Sequence, residues 1–260
     1  MAEQLGIIGP INFQFALKHD DIYCIEANPR GSRTIPFLSK AYDINLPALA
    51  TTALLGHEMK ETISLESPYY VVKQSTFPFD RFVDDSIILG PKMRSTGETL
   101  GIDKNLQSAI LKSYLGNYPR LDQPGKILIS MADHSKEVLQ DYLLKLDSKK
   151  YQLMATKGTH EFICSLGHKC TLVNKLNEKS TAGSISMLEA IKDNQLILVL
   201  NTPLAMGTSR SDGEYIRNMA IQYGAPCFTR IENIKAVLGC LTDELTSVLR
   251  PISLQEMNCE

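Results

Sequence analysis

Three oxygen-bearing side chains raise the first chemical question. Gln14, Glu26 and Asn28 lie in two alternating segments, INFQFALK (11–18) and IYCIEAN (22–28), separated by His19-Asp20-Asp21. If that three-residue loop sets an antiparallel hairpin, Lys18 faces Ile22, Gln14 lies opposite Glu26 and Asn12 opposite Asn28, all on one face. The other face then carries Ile11, Phe13, Phe15, Leu17, Tyr23, Ile25 and Ala27. One carboxylate between amide oxygens on a rigid sheet suits Mg²⁺, which takes oxygen ligands and shares them with phosphates. Arg30 and Arg33 follow at a spacing that lets both guanidinium groups reach the same phosphate oxygens. The same pattern also fits a solvated polar face with surface arginines, and the residues alone leave both readings open.

A second constellation sits at the ends of apolar segments further on: Ser130, Thr156, Asn174-Lys175 and Asn201-Thr202. Thr156-Lys157-Gly158-Thr159 places a glycine and hydroxyls where a helix begins, so backbone N–H groups and a positive dipole end can hold a phosphate. Lys136 and Lys175 add positive charge. Thr and Ser at helix starts also serve as ordinary caps, so this pattern too has a plain structural reading.

The elements that must position these groups divide near Leu121-Asp122-Gln123-Pro124-Gly125, a turn after a helix-like stretch over 106–115. We therefore expect domains over 1–122 and 123–260. In the second, KILISM (126–131), YQLMAT (151–156), CTLVNKL (170–176), LILVLNT (196–202) and PCFT (226–229) read as strands. Helical spacing predicts helices over 135–145, 159–166, 185–191, 214–222 and 232–241. Five strands separated by helices imply right-handed crossovers and a parallel sheet covered on both faces, a small doubly wound α/β domain. Ligands bind such sheets beyond the carboxyl ends of the strands, where the second constellation falls. The first part offers only the hairpin, a helix over 46–55 and a strand over 69–77, too little for a core of its own. It reads as the end of a larger α+β domain, with exposed apolar surface expected over 1–120 in its partner's absence.

Composition limits the function classes. The 260 residues carry 27 Lys+Arg against 29 Asp+Glu, a net charge of −2, so no polyanion-binding surface is indicated and nucleic acid is not an expected partner. The longest strand-like apolar run, 196–200, falls far short of the ~20 residues of a bilayer span. The N-terminus MAEQLGIIGP has an acidic residue where a signal peptide carries Lys or Arg, and the reading is a cytoplasmic chain without a membrane partner. The cysteines Cys24, Cys164, Cys170, Cys227, Cys240 and Cys259 form no CxxC pair and fit reduced thiols.

The run from Ile25 through Glu26, Asn28-Pro29-Arg30 and Arg33-Thr34-Ile35-Pro36-Phe37 resembles the "IEVNPR…R-T-x-P-F" signature of carbamoyl-phosphate synthase large chains, within an ATP-grasp domain. Ser39-Lys40-Ala41 and the run from Leu89-Gly90-Pro91-Lys92 to Met93-Arg94-Ser95-Thr96-Gly97-Glu98 continue it. The second half is similar to the methylglyoxal-synthase-like effector domain that ends the same chains. It carries Ser130 with Lys136, Ala155-Thr156-x-Gly158-Thr159, Leu172-Val173-Asn174-Lys175, Asn201-Thr202, and Arg210-Ser211-Asp212 with Ile216-Arg217 in order.

The resemblance implies a partial ATP-grasp segment followed by a five-stranded methylglyoxal-synthase-like domain. It implies ATP and Mg²⁺ or Mn²⁺ as cofactors, with Gln14, Glu26 and Asn28 as metal ligands and Arg30 and Arg33 on phosphate during carbamate phosphorylation. It also implies a nucleotide effector, UMP or IMP, at Ser130, Lys136, Thr156, Gly158, Thr159, Lys175, Asn201 and Thr202. The partners it implies are the remainder of the large chain and a glutaminase small subunit, and the pathways are pyrimidine or arginine synthesis. In the family the nucleotide-gripping lobe lies upstream of the hairpin, so this chain is expected to be a C-terminal section that needs the rest for activity.

Relatives activated by ornithine carry a glutamate where this chain has Gln74 and a tyrosine where it has Cys227. The loop Pro203–Thr208 also lacks basic residues that some relatives carry. Two further readings stand beside the synthase section. One is a free-standing, non-catalytic regulatory module. The other is a methylglyoxal synthase-type lyase, against which the stretch Asn177–Gly183 lacks that enzyme's Gly-Gly-Asp run.

Overall fold

The computed structural model describes residues 1–58, 67–77, 93–175, 183–202, 212–242, 249 and 251–257. The chain forms two compact units, one of Met1–Tyr69 with the tail from Arg250 and one of Tyr70–Leu249.

The first unit opens on strands β1 (Asn12–Lys18) and β2 (Asp21–Asn28), the expected antiparallel hairpin, followed by helices α1 (Thr34–Tyr42) and α2 (Leu46–Leu54). Asn45 caps α2 through its side chain, which accepts from the Ala48 N–H at 3.0 Å, and Pro47 falls in the first turn, where its missing N–H costs nothing. The hairpin turn differs from expectation. Lys18 pairs with Asp21 rather than Ile22, and His19 takes a left-handed backbone (φ 55°). A bulge then leaves Ile25 without a cross-strand partner and restores the register, so Gln14 still faces Glu26 and Asn12 still faces Asn28. The correction reaches the outer half of the hairpin, where Phe15 faces Cys24 and Leu17 faces Ile22; Tyr23, opposite Ala16, moves off the apolar side.

Within this unit Ala41 is the one buried apolar residue among those described, while Phe15, Leu17, Ile22 and Ile25 are all more than half exposed. The small core expected of this segment is what the fold has.

The second unit begins with β3 (Tyr70–Thr76) and β4 (Gly97–Asp103), an antiparallel pair, and α3 (Leu106–Leu115). The strand β4 was not expected; its sequence GETLGID is short of the β-branched and aromatic residues that mark strands. A Cβ on Gly101 would lie 1.9 Å from the Ala109 carbonyl oxygen, so only glycine lets α3 seat on β4. Then follow β5 (Gly125–Ser130), α4 (Val138–Leu143), β6 (Tyr151–Thr156), α5 (Lys157–Ser165) and β7 (Cys170–Asn174). The rest is β8 (Ile185–Ser186), α6 (Met187–Lys192), β9 (Leu196–Asn201), α7 (Asp212–Gln222), β10 (Cys227–Phe228) and α8 (Ile231–Thr242).

The main sheet is parallel, in the order β10-β9-β5-β6-β7-β8. It has six strands rather than five, because Ile185-Ser186, expected to open a helix, first pair with Val173-Asn174. One face packs Ile127, Ile129, Leu153, Leu198 and Leu200 against Leu111 and Tyr114 of α3, Leu139 and Leu143 of α4, Ile163 of α5 and Ile234 and Leu238 of α8. The other packs Leu128, Met154, Val173 and Val199 against Met187 and Ile191 of α6 and Ile216 and Ala220 of α7. Helices on both faces make the sheet doubly wound. Since Leu111 and Tyr114 are buried in this core, the exposed apolar surface expected over 1–120 does not extend to them.

Candidate functional site

The carboxyl ends of β5, β6 and β9 meet at one edge of the sheet, and buried polar residues gather there. Thr156 Oγ1 donates to Ser130 Oγ at 3.1 Å, and Asn201 Nδ2 donates to the Ser130 carbonyl at 3.2 Å. The chain leaving β5 is held by two hydroxyls: the Met131 N–H donates to Thr159 Oγ1 at 3.1 Å and the Ala132 N–H to Thr202 Oγ1 at 2.8 Å. These bonds fix the backbone that delivers Lys136.

Lys136 is 9% exposed, and its Nζ donates to Asp133 Oδ1 at 2.5 Å. The same Nζ lies 3.0 Å from where a Cβ on Gly158 would stand, so glycine leaves the ammonium room over the first turn of α5. That turn is open. Thr156, at the cap position, makes no side-chain bond to it, because its hydroxyl is turned to Ser130. Thr156 therefore does not cap α5: among the described residues the N–H groups of its first turn have no side-chain acceptor, and a buried cation stands beside them. The Lys136 hydrogen bond and charge hold the exposed Asp133 carboxyl below the usual carboxylate range.

Seven of the expected residues, Ser130, Lys136, Thr156, Gly158, Thr159, Asn201 and Thr202, thus fall in one connected group. Lys175 follows β7, one strand further out, and its neighbour Asn174 bonds Ser184 Oγ at 2.5 Å instead. Arg217 of α7 was quoted in the sequence only as part of a motif. It is 8% exposed, and its Nη1 donates to Asn201 Oδ1 at 2.7 Å. Its place beside Ile216 in that motif, at the middle of α7, was the available signal. The stretches 177–182 and 203–211 and Cys259 lie outside the described residues, as do Leu89–Lys92.

On the first unit, Gln14 and Glu26 are a cross-strand pair, and Asn28 Nδ2 donates to Glu26 Oε1 at 2.9 Å. That bond ties the Asn28 amide nitrogen to the carboxylate. One carboxylate with two amide oxygens fits a hard divalent ion that completes its shell with phosphate and water. No cluster of three or more His, Cys, Asp or Glu side chains forms among the described residues. Arg30 is exposed and Nη1 donates to the Gly31 carbonyl at 3.1 Å, while Arg33 precedes α1.

Gln74 of β3 stands opposite Thr99, and burial pushes the Cys227 thiol up to about 12. Neither position supplies a carboxylate for an amino-acid ammonium. No helix among the described residues is long and apolar enough to cross a membrane.

A family model described as an MGS-like domain matches residues 139–229. Similarity to curated proteins extends over nearly the whole chain. A carbamoyl phosphate synthase large chain from Myxococcus xanthus is 34% identical over 98% of this chain and 24% of its own length. The C-terminal sections of the large chain from Methanocaldococcus jannaschii and Methanopyrus kandleri are 34% and 36% identical. They are matched over 99% and 93% of this chain and over 43% and 46% of their own lengths. The chain thus spans less than half the length of these relatives.

Proposed function

We propose, from the premise that this chain is a relative of carbamoyl phosphate synthase large chains matched to their C-terminal section, that its sheet edge is the effector site of such a synthase. The observation that carries the reading is the open first turn of α5 with the buried Lys136 ammonium beside Gly158. An effector phosphate accepts from the α5 N–H groups and takes Lys136 Nζ from Asp133, whose exposed carboxylate is the weaker, solvated partner. Thr159 and Thr202 hold the loop that carries Lys136, and Asn201, fixed by Arg217, faces the same edge. UMP and IMP are the nucleotides to test. We place the functional boundary at 122/123, with effector binding in 123–260.

The hairpin serves the carbamate-phosphorylating ATP site. Gln14, Glu26 and Asn28 would hold Mg²⁺ or Mn²⁺, with Arg30 and Arg33 on phosphate oxygens. A divalent ion, when bound with ATP, offsets the charge of the transferring phosphoryl group. The chain's own part is to present three oxygens from a rigid, bulged strand pair and two cations just beyond it. Nucleotide grip and ammonia supply fall to the remainder of the large chain and a glutaminase subunit, in cytoplasmic pyrimidine or arginine synthesis.

Isothermal titration of UMP and of IMP into the full chain tests the effector reading. Binding by either that weakens about tenfold or more in Lys136→Ala supports it, the loss expected for one charge-assisted contact. No heat with either nucleotide, or equal affinity in the variant, contradicts it. One observation favours a second reading, a free-standing regulatory module: the second unit has its own two-faced core, whereas the first buries Ala41 alone among its described apolar residues. Co-purification of a longer ATP-grasp polypeptide with this chain separates the synthase section from that module.

A further inference from the structure

The opposite edge of the same sheet carries a second cleft, of about 250 Å³, bounded by the chain after α3, the turn between α6 and β9, and the turn between α7 and β10. It lies at the amino ends of the strands, away from Lys136 and α5. Its polar lining is basic. Arg120 reaches across to donate to the Asn194 carbonyl, which uses one of its five N–H donors. Lys192, also in the lining, has its Nζ 5.6 Å from the centre of the Tyr223 ring.

The single carboxylate in the lining, Asp193, is already neutralised. It accepts from Lys126 Nζ at 2.6 Å and from the Gln195 N–H at 2.8 Å, and the Lys126 bond holds its carboxyl below the usual range. Two cations therefore line a concave site whose one lining carboxylate is already paired. Tyr118 also lines the cleft. Fixed donors and excess positive charge in a cleft of this size suit a small dianion rather than a nucleotide.

We propose that this cleft is a second, separate anion site of the chain, for a metabolite of phosphate-ester or dicarboxylate type. Arg120 would grip the anion bidentately and Lys192 would act as a point charge. The site stands on its own residues and does not depend on the effector reading.

The test is amide NMR of the full chain titrated with inorganic pyrophosphate and, separately, with succinate. Both titrations are repeated in Lys136→Ala, with Lys136→Gln as a second variant if that protein does not fold, and in Arg120→Gln/Lys192→Gln, whose two positions are exposed. Saturable shifts at Tyr118, Asn194, Gly224 and Ala225 are expected, retained in the Lys136 variant and weakened about tenfold or more in the double variant. Response to pyrophosphate alone assigns the phosphate-ester class, response to succinate alone the dicarboxylate class, and response to both a general dianion site. Absence of these shifts with either probe overturns the proposal. So do shifts confined to Lys136 and 156–159, or shifts unaffected by removing Arg120 and Lys192.

Discussion

Arg217 Nη1 donates to Asn201 Oδ1 at 2.7 Å, and the amide of Asn201 turns its nitrogen to the Ser130 carbonyl at 3.2 Å. A single asparagine thus ties α7 and β9 to the end of β5, and a buried guanidinium decides which way its amide points. The Asn201 acceptor would be left without its donor if Arg217 were removed, and orphaning a buried acceptor costs about 1–3 kcal/mol. Arg217→Met is therefore expected to destabilise the chain by about that amount in urea unfolding and to weaken nucleotide binding in the proteins that remain folded. An unchanged midpoint and unchanged affinity would remove Arg217 from the site.

Gly101 sets the seating of α3. A Cβ there would meet the Ala109 carbonyl oxygen at 1.9 Å and the Ser113 nitrogen at 2.6 Å, backbone atoms that no rotamer change can move. Gly101→Ala is expected to cost about 3 kcal/mol, the upper end of the usual overpacking range, read from the urea midpoint. A cost below about 0.5 kcal/mol, typical of a surface change, would contradict the close approach.

Two further acids are stabilising when ionised. Burial pushes the Asp103 carboxyl up, but the Lys112 hydrogen bond and the Asn105 N–H outweigh it and the net shift is downward. Asp193 is lowered chiefly by Lys126. A carboxyl depressed in the folded state makes the unfolded chain bind more protons, so stability rises with pH. The contribution is complete well above the unfolded value of about 3.9 and is lost as pH falls through the lower folded values. Urea midpoints are expected to fall steeply below about pH 4, and Lys126→Met is expected to flatten that slope. A slope identical in the variant would contradict the Asp193 assignment.

Thiol reactivity is expected to sort by burial. Cys24 and Cys164 are exposed, whereas burial raises the Cys170 and Cys227 thiols to about 12 and Cys240 is fully buried. Iodoacetamide at about pH 8 should label Cys24 and Cys164 before Cys170, Cys227 and Cys240, which label on unfolding, as read by peptide mass spectrometry. Early labelling of Cys227 would contradict the packing around β10.

Much of the second unit was legible because buried parallel strands are continuous apolar runs, as LILVL in β9, and the helices between them keep a helical period. The brief β8 was not, since two residues have no period to read. The Gln14–Glu26 pairing was expected from the wrong turn. The two-residue turn and the Ile25 bulge offset each other, and alternation alone cannot reveal such a pair of compensating irregularities. At the sheet edge, residue types pointed to Thr156, Gly158 and Lys136, but the open first turn of α5 depends on where one hydroxyl points, which only the folded chain fixes. Arg120 and Lys192 stayed hidden because they are far apart in sequence and carry no motif.

We place the phosphate of a nucleotide between α5 and Lys136. Thermal unfolding of the full chain with UMP and with uridine, in the wild type and in Lys136→Ala, tests it most directly. At about 100 times Kd, binding adds about 2.7 kcal/mol and raises Tm visibly. A rise is expected with UMP, none with uridine, and loss of the UMP effect in Lys136→Ala. Equal shifts with both compounds, a UMP shift that survives in the variant, or no shift with UMP would contradict it.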